Sequence, residues 1–209
     1  MDITVSDVKN VIAKLCDVII QNEVYFCDLD SAAGDGDFGM SLSKGFREVQ
    51  KQLDQIDTAD VSQFVKGCAM IITEYCGGAS GPIWGSGFRA AALCVKGKET
   101  VTEQDVPEMI GAAIEGIQKR GGAKLGDKTL LDALIPAQQA MQKAVDEGKP
   151  LADAVAQAAK SAAQGAEDTK KIVASKGRAS YLGERSIDYP DAGAVAISVI
   201  FDSFVKQKQ

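Results

Sequence analysis

The sequence predicts one all-α domain over residues 1–209, with about eight antiparallel helices in an up-and-down arrangement. Three observations carry this prediction. Apolar residues recur at helical spacing in one segment after another, and no segment alternates with the period of a strand. Glycine-rich loops interrupt the helices near residues 30, 77, 121 and 176. No linker rich in proline or serine divides the chain, which argues against separate domains.

The first four helices are predicted from their apolar stripes and from residues typical of helix ends. Val8, Val11, Ile12, Leu15, Cys16 and Ile19 recur at helical spacing and place the first helix at about residues 5–27. The second runs from Ser41 to about Leu53. The third takes Asp57 or Thr58 as its cap and ends at Cys76. Pro82 fits the first turn of the fourth helix, which runs to about Val95.

The last four helices follow in the same way. Thr100 and Glu103 have the spacing of a capping box ahead of a fifth helix, whose stripe runs from Val106 to Ile117. A sixth is expected from about Leu130 to Glu147, with Pro136 as a candidate position for a kink. Pro150 opens an alanine-rich seventh helix that reaches about Ser175. The loop 176–193 precedes the last helix, which runs through Val205.

The four glycine-rich loops are separated by the length of two helices and a turn. In an antiparallel arrangement every second loop returns to the same end. The spacing therefore predicts that the four loops meet at one rim, and that the functional site is built from loops on a helical scaffold.

The first of these loops, Leu29–Ser41, holds three carboxylates and several glycines. Carboxylates this close repel one another unless a cation lies among them, and an all-oxygen ligand set favours Mg²⁺ or Ca²⁺. An EF-hand is excluded, because the twelfth residue counted from Asp35 is Phe46 and not glutamate. The small ligand set suits Mg²⁺ completed by water and substrate phosphates. A solvated acidic turn is the alternative that this segment alone leaves open.

Composition excludes several classes of function. A formal charge of −6 and a pI near 4.8 argue against binding to nucleic acid or to an anionic membrane. No signal peptide is visible, and no apolar stretch has the ~20 residues of a membrane span. Five cysteines without a CxxC pair indicate reduced thiols in a cytoplasmic protein. The chain has no histidine, which excludes Ser-His-Asp and Cys-His catalysis, histidine-ligated zinc and a phosphohistidine.

The other three loops fit phosphate chemistry. Gly77–Gly81 offers backbone N–H groups at a helix start, where phosphate oxygens bind well, although a helix–helix turn also needs glycine. Gly121–Thr129 only partly matches a Walker A loop, because Asp127 stands where lysine should follow glycine and no strand precedes. The basic residues of Lys176–Ser186 could be surface charge or phosphoryl ligands. Together the loops predict phosphoryl transfer from a nucleotide.

These segments resemble the nucleotide-binding L subunit of dihydroxyacetone kinase, the DhaL family, over almost the whole chain. The match lies in Leu29–Gly45, Gly77–Pro82, Gly126–Thr129 and Lys176–Gly193. The resemblance implies an eight-helix antiparallel barrel with nucleotide, ADP or ATP, at one end. It implies two Mg²⁺ ions held by Asp30, Asp35 and Asp37, and Arg178 as the catalytic residue at the terminal phosphate. The other implied nucleotide contacts are Phe38, Gly39, Met40, Ser41, Ala79, Ser80, Gly121, Leu130, Asp191, Ala192 and Gly193.

The resemblance also implies partners. Such subunits transfer phosphate to a small ketose that is bound by a separate K subunit. The phosphate comes from ATP, or from a phosphotransferase-system protein that rephosphorylates a retained ADP. This chain departs from the family at Phe38, where the family has histidine, and at Ser41, where asparagine is common. The donor and the sugar are therefore left open, and so is the oligomeric state, a homodimer included. The alternative is a regulatory module that binds Mg-nucleotide and docks on a partner without turnover.

Overall fold

The computed structural model describes residues 2–98 and 100–205, and these residues form nine α-helices and two 3₁₀ helices. The described part of the chain contains no strand, only one isolated antiparallel bridge between Ile3 and Val101. The all-α prediction is therefore confirmed. The α-helices are α1 Val5–Gln21, α2 Glu23–Ser31, α3 Phe38–Gln52, α4 Val61–Tyr75, α5 Ser80–Cys94, α6 Asp105–Gly121, α7 Leu131–Asp146, α8 Leu151–Asp168 and α9 Ala192–Val205. The 3₁₀ helices are Thr169–Lys171 and Arg178–Ser186.

The helices fall into two compact units, Met1–Gln21 with Met40–Gly122, and Asn22–Gly39 with Ala123–Gln209. The boundary between Gly39 and Met40 lies inside the first turn of α3. The expectation of a single domain stays a prediction. None of the described helices combines the length and the apolar character needed to cross a membrane.

In the first unit, α4 packs against α1 and α5, and α5 packs against α6. Phe46 of α3 lies edge-on to Trp84 of α5, with ring centroids 5.9 Å apart. Glycine allows the close approach of α5 and α6, because a Cβ added at Gly116 would lie 2.7 Å from the carbonyl oxygen of Ser86. The register of this pair brings the end of α6 to the start of α5.

In the second unit, α8 packs between α7 and α9, and α2 also contacts α9. Pro136 lies inside α7 as expected, and it cannot donate to the carbonyl of Asp132 one turn earlier. α8 passes close to that carbonyl, because a Cβ added at Gly165 would lie 2.2 Å from it. The small residues of α8 thus bring its backbone against the start of α7. The core of this unit is rich in alanine for the same reason.

The predicted first helix is wrong in its bounds, because the chain forms two helices with a break at Asn22. The second of these, α2, runs four residues beyond the expected end and carries Asp30 in its last turn. Ser31, the last residue of α2, donates from Oγ to the carbonyl of Cys27, 2.8 Å away. The first metal-ligand candidate therefore stands on a helix end and not in a loop.

Two predicted helix caps are also wrong. The cap of α4 is Asp60, whose backbone is extended and whose Oδ1 accepts the N–H of Gln63 at 2.7 Å. Asp57 instead accepts a hydrogen bond from Ala59 in a local turn. The capping box ahead of α6 is formed by Thr102 and Asp105, which exchange backbone-to-side-chain hydrogen bonds. In both cases several polar residues near the start of the helix had suitable spacing, and a later one forms the cap.

Candidate functional site

Asp30, Asp35 and Asp37 come together where α2 ends and α3 begins. Each offers a carboxylate oxygen, and these three oxygens lie within 4.8 Å of one another. No other group of three or more His, Cys, Asp and Glu side chains converges in this way among residues 2–98 and 100–205. Gly34 gives the Asp30 carboxylate its room, because a Cβ there would lie 2.2 Å from Oδ1. The turn itself uses Gly36, whose φ of +74° favours glycine.

The pKa of the Asp30 carboxyl group is raised above its usual value. Burial raises its pKa, and the Asp35 carboxylate raises it further. The backbone N–H groups of Phe38, Gly36 and Asp37 act in the opposite direction, and the Gly36 N–H donates to Oδ2 at 2.9 Å. The carboxylate is thus oriented by the turn that it closes. A cation placed among these oxygens would remove the mutual repulsion that opposes their ionisation.

Arg178 lies against the acidic cluster. Its Nε is 2.8 Å from Oδ2 of Asp35, and its side chain is 66% exposed. It stands at the start of the 3₁₀ segment Arg178–Ser186, directly after Gly177, whose φ is +63°. The structure therefore brings the predicted catalytic arginine to the predicted metal ligands. An exposed guanidinium in that position is free to turn toward a phosphoryl oxygen.

Asp191 and its neighbours form the start of α9. Oδ2 of Asp191 accepts the N–H of Ala194 at 2.8 Å and so caps the helix. Burial raises the pKa of Asp191 to about 7, and the Asp132 and Asp30 carboxylates contribute to the rise. A Cβ added at Gly193 would lie 3.3 Å from Cβ of Leu130. The predicted base and ribose residues Leu130 and Gly193 are thus neighbours in the second unit.

The first unit brings together a second set of predicted contacts. Gly77 donates its N–H to the carbonyl of Ser41 at 2.9 Å, and a Cβ at Gly77 would lie 2.7 Å from the Ser41 hydroxyl. Ala79 precedes the first turn of α5, which begins at Ser80. Gly121 ends α6 close to that turn, because a Cβ there would lie 2.8 Å from Cδ1 of Ile83. This end of the unit therefore presents the start of a helix, an arrangement that suits a bound anion.

Phe38, Gly39 and Met40 form the first turn of α3, immediately after the acidic cluster. The Phe38 ring packs on Phe26 of α2 with centroids 6.1 Å apart. Gly39 is required by close packing, because a Cβ there would lie 2.0 Å from the carbonyl oxygen of Glu23. Met40 is 57% exposed. The apolar ring of Phe38 thus stands where the family resemblance leads one to expect an imidazole, and it serves the packing of α2.

Sequence reasoning missed Lys128, which it treated only as part of a failed Walker A match. Lys128 is 2% exposed and has a φ of +61°. Burial lowers the pKa of its ammonium group, while the Asp191, Asp132 and Asp188 carboxylates favour the charged form. No local pattern marks a buried lysine, since its partners are distant in the sequence. A positive φ at a residue other than glycine is the structural signal that reveals it.

The donor set of this region fits a hard divalent cation. Three carboxylates supply oxygen ligands and too few of them to complete an octahedron, so water or phosphate oxygens would fill the remaining positions around Mg²⁺. The described residues contain five free cysteines, but none belongs to this cluster. Arg178 adds a positive charge beside the acids. The second unit can therefore hold a metal-bound phosphate next to a guanidinium.

Known proteins with related sequences point to one family. The family description "DAK2 domain" matches residues 32–206. The ADP-binding subunit DhaL of PEP-dependent dihydroxyacetone kinase 2 from Listeria innocua is 39% identical over 191 residues, with 87% of each chain covered. The corresponding ADP-binding subunit DhaL from Escherichia coli is 31% identical over 197 residues, with 94% of each chain covered.

Among solved structures, the fold matches a larger kinase. The dihydroxyacetone kinase from C. freundii, solved in complex with AMP-PNP and Mg²⁺, superposes with a TM-score of 0.77 and 24% identity. The match covers 97% of this chain and 34% of that kinase, so this chain spans about a third of the larger protein. This likeness shows that the two share a fold.

Proposed function

This chain belongs to the DAK2 domain family, and from that membership we propose that it is the nucleotide-binding subunit of a dihydroxyacetone-type kinase. It transfers phosphate from a Mg²⁺-bound nucleotide to a small ketose held by a separate K subunit. The observation that carries the proposal is the cluster of Asp30, Asp35 and Asp37 with Arg178 in contact with it. Phosphoryl transfer needs cations and an arginine at the migrating group, with little covalent help from the protein.

The nucleotide is a retained ADP that a phosphotransferase-system protein rephosphorylates. The two relatives described above, which this chain matches almost end to end, are both named ADP-binding subunits of PEP-dependent kinases. The free thiols of the chain fit the reducing cytoplasm in which such a system works.

The site residues of the second unit have distinct roles in this proposal. Asp30, Asp35 and Asp37 would hold the Mg²⁺ of the nucleotide, two ions in this proposal. The bound metal neutralises phosphate charge. Arg178 leaves Asp35 to contact the terminal phosphoryl group. Leu130 and Asp191–Gly193 contact the base and ribose.

The remaining contacts of the proposal belong to the loops around α3 and α5. Gly39, Met40 and Ser41, and Ala79 and Ser80, lie at or next to the starts of α3 and α5 and line the phosphate side, because the positive end of a helix dipole attracts anions. Gly121 lines the base side. Phe38 contacts the nucleotide only through apolar atoms, since its ring offers neither a donor nor a charge.

The direct test is reconstitution of activity from purified components. The chain is combined with Mg²⁺, a ketose-binding K subunit and dihydroxyacetone, and then either ATP or ADP with a phosphotransferase-system donor is added. The proposal expects the donor with ADP to support turnover and ATP alone to support a single equivalent of product. Sustained turnover with ATP alone would instead assign the chain to the ATP-consuming branch.

The same experiment distinguishes the kinase subunit from the regulatory alternative. A regulatory module would bind Mg-nucleotide in calorimetry and yield no sugar phosphate with either donor. A four-carbon ketose is tested in parallel with dihydroxyacetone, because Phe38 replaces the family histidine and the sugar preference can differ. Absence of Mg²⁺-dependent nucleotide binding would contradict both the kinase proposal and the regulatory alternative.

A further inference from the structure

We propose that Lys128 and Thr169 form a clamp that positions the segment Tyr189–Gly193 for nucleotide binding. This inference rests on the proposed function and assigns a role to a buried cation that the phosphoryl-transfer chemistry does not use. Lys128 lies in the loop before α7, and Thr169 follows the end of α8. The two residues are 2% and 0% exposed.

The ammonium group of Lys128 joins two distant segments of the chain. Its Nζ donates to the carbonyl oxygen of Thr169 at 2.6 Å and to the carbonyl oxygen of Tyr189 at 2.7 Å. Thr169 lies 41 residues and Tyr189 61 residues along the chain from Lys128. The cation therefore ties the loop before α9 to the end of α8.

Thr169 completes the clamp through its side chain. Its Oγ1 accepts the backbone N–H of Asp191 at 2.9 Å and donates to the carbonyl of Ala166 in α8. The carbonyl and the hydroxyl of this one residue thus bind Lys128 and Asp191 respectively. Asp191 is in turn the residue that caps α9 by accepting the N–H of Ala194. The segment Tyr189–Gly193 is therefore held by the hydrogen bonds from Lys128 to Tyr189 and from Asp191 to Thr169.

Fold stability alone is a poor reason for this arrangement. Burying an ammonium group has a large desolvation cost, and Lys128 donates its hydrogen bonds to the neutral carbonyls of Thr169 and Tyr189, although nearby carboxylates favour its charge. Lys128 also has a φ of +61°, a conformation that is unfavourable for residues with a side chain. Strained and desolvated residues of this kind are concentrated at functional sites. Lys128 is therefore assigned as a positioning residue, since it acts through Thr169 and Tyr189.

The experiment measures nucleotide affinity in variants of the clamp by calorimetry with Mg²⁺ and ADP. Lys128→Met removes the ammonium and keeps the apolar stem, and Thr169→Val removes the hydroxyl and keeps the shape. Lys128→Gly is the second variant of the lysine, because glycine tolerates the positive φ and the chain folds more readily. Lys160→Met is the matched control, since Lys160 is an exposed lysine of α8 in the same unit.

Every titration is done well below the melting temperature of the variant, so that the protein is fully folded. Each clamp variant is expected to lose roughly 10-fold or more in ADP affinity, as is common when a supporting residue is removed. The loss in the double variant Lys128→Met/Thr169→Val should be smaller than the two single losses combined, because both act on one segment. Thr169→Ser keeps the hydroxyl and should restore affinity.

Two results would overturn the inference. If the clamp variants melt earlier and the folded proteins still bind ADP like the Lys160→Met control, the clamp only stabilises the fold. If the losses of Lys128→Met and Thr169→Val are fully additive, the two residues do not act as one clamp. Failure of the unmodified chain to bind ADP would contradict the proposed function itself, and it is read from the wild-type titration.

Discussion

Nε of Arg178 lies 2.8 Å from Oδ2 of Asp35, so the arginine pairs with one of the three carboxylates of the acidic cluster. The pair is partly exposed, and such pairs contribute little to stability, typically about 0–1 kcal/mol. A divalent cation on Asp35 would therefore displace the guanidinium at little cost. The released guanidinium would remain within reach of any phosphate on that cation. The pair thus links metal binding to the placement of Arg178.

Arg178→Gln should separate binding from chemistry. If the guanidinium acts on the migrating phosphoryl group, turnover in the reconstituted system should fall by ~10³-fold or more, as for arginine fingers. The nucleotide affinity in calorimetry should change far less, because Mg²⁺ and the backbone N–H groups still hold the phosphates. Arg185→Gln is the matched control, since it removes the same charge from the same exposed 3₁₀ segment. Equal losses of turnover and affinity would make Arg178 an ordinary binding contact.

Asp35→Asn should weaken the binding of Mg-nucleotide by orders of magnitude while the fold persists. The substitution removes one of the three anionic ligands and also relieves repulsion with Asp30, so the free energy of unfolding should change little. Calorimetry with Mg²⁺ and with EDTA measures the effect. Asp28→Asn is the control, since Asp28 is an exposed aspartate of α2 outside the cluster. If Asp35→Asn binds Mg-nucleotide as tightly as the wild type, Asp35 is not a metal ligand.

Local patterns in the sequence were sufficient to predict the helices and the acidic cluster. The sequence predicts one apolar face of α1 from Val8, Val11, Ile12, Leu15, Cys16 and Ile19. The last four of these side chains are buried, whereas Val11 is 48% exposed. The cluster could be predicted because Asp30, Asp35 and Asp37 lie within eight residues of one another. The turn at Gly36 places their carboxylates together. These features depend on contacts within a few residues, and helix periodicity and turn chemistry describe such contacts well.

The helix break at Asn22 and the role of Lys128 could not be predicted in this way. The apolar pattern continues through Asn22 without a proline or a glycine, and the break falls where the chain passes from the first unit to the second. The partners of Lys128 lie 41 and 61 residues away and are backbone carbonyls, which have no residue-specific signature. Both features arise from tertiary contacts that override local preference.

The stability of the metal-free protein should depend on pH through Asp191. Burial raises the pKa of Asp191 from 3.8 to about 7 in the folded chain. Between these values the folded state keeps the proton and the unfolded state has lost it, so the free energy of unfolding falls as the pH rises. The contribution of this group is full below its unfolded pKa and is lost by about pH 7.

The test compares wild type with Asp191→Asn in urea unfolding at about pH 5 and about pH 8, in EDTA. The asparagine does not titrate, and its side-chain oxygen can still accept the N–H of Ala194. The fall in the free energy of unfolding between the two pH values should be smaller in the variant by a few kcal/mol at most. An identical fall in both proteins would show that Asp191 does not hold its proton in the folded state.

The absence of histidine from all 209 residues predicts that the migrating phosphate is never attached to this chain. Neither a phosphohistidine nor a ketose bound through imidazole can form on it. The carboxylates of Asp30, Asp35 and Asp37 are poor acceptors of a phosphoryl group while they bind metal. The phosphate should therefore stay on the nucleotide until it reaches a sugar bound by the K subunit.

After incubation with Mg²⁺, ADP and the phosphoryl donor, intact-mass spectrometry should find the protein unmodified and the nucleotide converted to ATP. The chain without a K subunit should leave dihydroxyacetone unphosphorylated. A phosphorylated side chain would refute the nucleotide as carrier, and sugar phosphate formed without the K subunit would refute the need for that partner.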